Sequence, residues 1–71
     1  MKIDPTEMEE HRQEAQRLTL LPKSEQRAIV ALHRLTANDR RATKEDRGFA
    51  KRRAYVLEVL LKLTQNRKNK L

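Results

Sequence analysis

Apolar residues recur at intervals of three and four along most of this chain, and that spacing constrains the fold more than any other feature. It is the period of one face of an α-helix, where a half-buried strand would alternate every second residue. Two interruptions divide the pattern. Leu21 precedes Pro22 and is pushed away from helical geometry, and the stretch 36–42 contains Asn38 and Asp39, which suit a helix end or a turn. The expectation is an all-α, three-helix domain with helices over about 5–19, 23–36 and 44–65.

The first boundary is written most fully. Asp4 caps free N–H groups, Pro5 fits the first helical position, and Glu7 stands three residues after the cap, as in a capping box. Ile3 and Met8 occupy the two positions of a hydrophobic staple. The following stripe of Met8, Ala15 and Leu18 is narrow, so most of this helix should face water. In the second helix Ala28, Ile29, Ala31, Leu32 and Leu35 fall within about 160° of arc, which predicts that they pack while Arg27, Val30 and Arg34 face outward. Thr43 with Asp46 is a weaker capping box for the third helix, and Gly48 near its start costs about 1 kcal/mol relative to alanine.

The third helix gathers Phe49, Ala50, Val56, Leu57, Leu60, Leu61 and Leu63 on one face. Helices one and two either cover that face in a monomeric bundle, or part of it is buried against a second copy in a homodimer through helix three. The dimer would extend a core that 71 residues without cysteine can make only thin. Arg53 falls inside the apolar face. It must either pair with Glu7, Glu10 or Glu14 of the acidic first helix or carry its head to the rim. Residues 1–64 are expected to form the single domain, followed by a disordered basic tail over 65–71.

Charge placement is the strongest indication of function. The net charge is +7, yet residues 1–14 hold five acidic side chains against two basic ones; residues 40–71 hold eleven basic against three acidic. The third helix's other face collects Lys44, Arg47, Lys51, Arg52, Tyr55 and Lys62, interrupted by Glu58, with Arg40 and Arg41 before it and Arg67 and Lys68 after it. A basic stripe containing a tyrosine suits a phosphate backbone, so these ten positions are the candidate binding residues for nucleic acid or a nucleoprotein. The alternative is a protein-interaction module, an adaptor or inhibitor binding an acidic protein partner through the same face or through surplus apolar surface. A helix-turn-helix is a poor match, because the connection between helices two and three is long and has no glycine.

Catalysis is not expected. His11 and His33 have no zinc-ligand spacing and are expected at the surface. A single glycine cannot build a phosphate loop, and no nucleophile and base pair suggests itself, so neither metal nor cofactor is called for. The acidic N-terminal stretch does not resemble a secretory signal, and the longest apolar run, Val59 to Leu61, is too short to span a bilayer. These features predict a cytoplasmic, non-enzymatic regulatory or accessory protein with no membrane association.

Overall fold

The computed structural model describes residues 2–63, which form α1 (Pro5–Leu18), α2 (Lys23–Ala37) and α3 (Lys44–Leu60). No strand occurs among the described residues. The tail expected over 65–71, with Arg67 and Lys68, lies outside them. α3 packs against both other helices, and more extensively against α2 than α1.

The α1 boundary follows its local chemistry in part. Asp4 Oδ2 accepts from the backbone N–H of Thr6 at 3.0 Å and of Glu7 at 3.3 Å, and Pro5 is the first helical residue. The reciprocal half of the capping box does not form, because the Glu7 carboxylate is bound to Arg52 and His11 instead. Thr43 caps α3 by accepting from Asp46 N–H at 3.0 Å. α2 follows Pro22 without a side-chain cap.

α3 ends at Leu60, five residues before the expected boundary at 65. The helix stops in a Schellman motif: Leu63 N–H donates to Glu58 C=O at 2.9 Å and Lys62 N–H to Val59 C=O at 3.3 Å. Lys62 occupies the left-handed position usually filled by glycine, with φ 57°. The reversal turns Leu63 back into the core, where it is buried with Leu61, and the Leu61 carbonyl accepts from Lys23 Nζ.

The core is a thin seam of Ala15 and Leu18 from α1, Val30 from α2, and Ala54, Leu57, Leu61 and Leu63 from α3 and its turn, with Leu21 and Ile29 packed at its edge. Ala54, fully buried, contributes only a methyl group to this seam. Fully buried leucines such as Leu18 and Leu57 each contribute about 2–3 kcal/mol.

The face by which α2 packs differs from the expected one. Val30 and Gln26 are buried, with Ile29 and His33 partly so; Ala28, Ala31, Leu32 and Leu35 face outward, the two leucines 61% and 68% exposed. Gln26 explains part of this rotation. Its amide nitrogen donates to the carbonyls of Leu18 (2.8 Å) and Leu21 (3.0 Å), satisfying backbone acceptors at the end of α1. The side chain that does so must point inward, and Val30, one turn later, follows it.

Candidate functional site

Two clusters of charged groups are built on α3, one turned toward α1 and one toward solvent. The first is a polar ladder. Arg52 grips Glu7 with both arms, Nε to Oε2 at 2.7 Å and an Nη to Oε1 at 3.0 Å, and His11 Nε2 reaches the same Oε2 at 2.8 Å. On the other side of the imidazole, Arg53 Nε donates to His11 Nδ1 at 2.8 Å, and an Arg53 Nη lies 3.9 Å from Glu14 Oε1. Because an arginine can only donate, Nδ1 must be the acceptor, so Nε2 carries the proton and donates to Glu7. Phe49 closes the ladder, its ring 5.2 Å from that of His11 and 5.0 Å from the Arg53 guanidinium carbon.

This arrangement corrects the expectation of a surface His11, whose side chain is fully buried. Burial is tolerable because both ring nitrogens are bonded. Arg53, one of the two alternatives drawn from the sequence, takes Glu14 and His11 as partners rather than carrying its head to the rim; Glu7 goes to Arg52, and Glu10 is exposed. The Arg52 guanidinium, with help from His11 and against the opposing effect of burial, holds the Glu7 carboxyl at about 2, down from an ordinary 4.5. The same carboxylate raises Arg52 further. His33, on α2, is pushed below its ordinary 6.5, first by burial and then by the nearby Arg53 charge.

Gly48 belongs to this cluster. A methyl group at that position would come within 3.1 Å of the Arg52 guanidinium, so the missing side chain leaves room for Arg52 to reach Glu7.

The second cluster is the solvent face. Lys44, Lys51, Tyr55 and Lys62 are exposed and Arg47 is partly exposed; at 3.6 residues per turn, Lys44, Arg47, Lys51 and Tyr55 form one continuous row. Arg40 and Arg41, also exposed, precede that row in the α2–α3 connection. Among the described residues, Arg40, Lys44, Arg47, Lys51 and Lys62 have no acidic side chain within 4 Å, whereas Arg41 is 3.4 Å from Asp39. Glu58, which interrupts the stripe in sequence, is paired with Arg34 of α2. Arg52 is the one described candidate turned away from the row, toward Glu7. The fold thus brings Lys44, Arg47, Lys51 and Tyr55 together along one edge and assigns Arg52 to the α1 interface.

The Arg53–Glu14 contact is one of the alternatives the sequence offers, but the Arg52–Glu7 and Arg53–His11 bonds escape spacing arguments because their partners lie about 40 residues apart. The only local signal is His11 between Glu7 and Glu14 on one helix. Two open grooves of about 250 Å³ flank α3, one against α1 at Ala15 and Leu60, the other against α2 at Val30 and Glu58. Among the described residues no three metal-ligating side chains gather in one place, and no helix is long and apolar enough to cross a membrane. No protein family, curated protein or solved structure matches the chain.

Proposed function

We propose that this protein is a non-enzymatic regulatory or accessory factor that binds nucleic acid, or a nucleoprotein, through Arg40 and the row Lys44, Arg47 and Lys51 with Tyr55 at its end. The observation that carries this reading is the pairing pattern. The acidic residues of α1 pair with Arg52 and Arg53, and Arg34 pairs with Glu58, which leaves Lys44, Arg47 and Lys51 in one row of α3 with no acidic side chain within 4 Å among the described residues. An array of this kind attracts polyanions, releases counterions when it meets phosphates, and loses affinity steeply with salt.

The test is anisotropy of labelled random-sequence DNA and RNA at about 50 and about 200 mM salt, where a site of several phosphate contacts weakens by orders of magnitude. Replacing Lys44, Arg47 and Lys51 with glutamine is expected to abolish binding and leave the helical circular dichroism unchanged, because Lys44 and Lys51 are exposed and Arg47 is only partly covered. Affinity retained by the triple variant refutes this placement of the site.

A second reading has its own observation. Ala28, Ala31, Leu32 and Leu35 form an exposed apolar seam on α2, and Tyr55, Val59 and Leu60 are about half exposed on α3. A protein partner, or a second copy of the chain, would gain by covering either surface. Sedimentation over a wide concentration range, with Leu32→Ser/Leu35→Ser as the comparison, tests self-association through α2. A monomer at every concentration argues against a homodimer.

A further inference from the structure

We infer that Tyr55 is a base-stacking residue and that the basic face takes single-stranded rather than duplex nucleic acid; this deepens the proposed function and rests on it. Tyr55 is 51% exposed although its neighbours Ala54, Val56 and Leu57 are all buried, so the ring stands out from α3. Its hydroxyl has no hydrogen-bond partner among the described residues, and its ring takes no part in the Phe49–His11 aromatic contact. About half of this large aromatic is left to solvent, with no other ring packed against it and its polar tip unbonded, so it has surface free for a partner.

Its position supplies the second part of the argument. Tyr55 follows Lys44, Arg47 and Lys51 at intervals of four, four and three residues counted back along the same row, one turn beyond Lys51. Val59, one turn further, is also half exposed. Beyond Lys51 the row thus presents a ring with an aliphatic neighbour, and the carboxylate of Glu58 beside them is held by Arg34, so side chains for phosphates lie at one end and a stacking surface lies next to them. Sequence-tolerant readers of single strands combine these two elements, since every unpaired base offers a π-face. In a duplex those faces are stacked on one another, and only base edges and phosphates can be reached. Tyr55 would then add nothing, and the lysines and arginines would bind both forms alike.

Tyr55 is the chain's only tyrosine, and there is no tryptophan, so intrinsic fluorescence reports on this ring alone. Unlabelled oligo(dT), oligo(U) and a DNA duplex of equal length are titrated into the full chain at low salt to read quenching. Affinities, including those of variants that lack the tyrosine, are read from anisotropy of the same probes carrying a fluorescent label. Quenching by the single strands, with affinity at least about tenfold above that for the duplex, is the expected result. Comparing oligo(dT) with oligo(U) shows which sugar is preferred. Tyr55→Phe should keep single-strand affinity. Tyr55→Leu, which retains bulk, and Tyr55→Ala should each lose about tenfold or more, with duplex binding unchanged. Equal affinity for both forms without quenching overturns the inference and leaves the proposed function standing; so does a Tyr55→Phe as weak as Tyr55→Ala. Absence of binding to every probe overturns both.

Discussion

Among the described residues Lys62 is the one whose backbone conformation is least suited to its side chain, and replacing it with glycine should stabilise the protein. At φ 57° an L-residue pays for its Cβ against the following carbonyl, about 1–2 kcal/mol, which glycine escapes. Glycine loses about 0.5–1 kcal/mol more backbone entropy on folding, so the net expected gain for Lys62→Gly is about 0.5–1 kcal/mol. In a domain this small that raises Tm by about 2–8 °C. Thermal and urea melts followed by circular dichroism measure it. Lys62→Ala removes the charge and keeps the Cβ, so it should stay within about 0.5 kcal/mol of wild type. The Leu63 methyl signals should remain shifted in the Lys62→Gly spectrum, because the turn that buries Leu63 is retained. If Lys62→Gly melts at or below wild type, or Lys62→Ala gains as much, the backbone argument is wrong.

Three further outcomes follow from the interior. Gln26→Glu keeps the shape but replaces the donor facing the Leu18 and Leu21 carbonyls with an acceptor; it should cost about 2–4 kcal/mol, more at about pH 8 than at pH 5, as measured by urea melts. Acid should weaken the fold in two stages. His33, held below 6.5, lets the unfolded chain take up a proton first, so stability falls as pH drops through about 6.5; Glu7, held at about 2, contributes fully above 4.5 and loses its contribution between 4.5 and 2. With Arg52 32% exposed, solvent screening leaves about 1–2 kcal/mol for Glu7, and Glu7→Gln should remove the lower stage only. Gly48→Ala should gain less than the about 1 kcal/mol of helix propensity, because the added methyl presses on Arg52; a full gain would mean that Arg52 moves freely.

The starts of the helices were legible because their signals are local. Asp4, Pro5 and Thr43 act on backbone groups within three residues, and the structure uses each as the spacing predicts. The face of α2 was not legible. Apolar side chains surround more than half of that helix, so counting leucines favours Leu32 and Leu35, whereas the choice was made by the distant carbonyls that Gln26 satisfies. The end of α3 gave no glycine to mark it, since a lysine takes the left-handed position. For the candidate site, the exposed cations could be read from sequence because exposed charges need no partner. Arg52 could not, because its role depends on an acidic residue 45 positions away.

The ladder at His11 also bears on how many ways α1 can settle. An apolar stripe as narrow as Ala15 and Leu18 would tolerate a slide of one turn, about 5.4 Å, with much of its contact regained. The bonds from Arg52 to Glu7 and from Arg53 to His11 would not survive that slide, and an imidazole with two committed nitrogens has one tautomer and one orientation that fit. The alignment of the two rods is therefore encoded digitally, as a lock with two pins, while the hydrocarbon between them supplies adhesion without choosing a register.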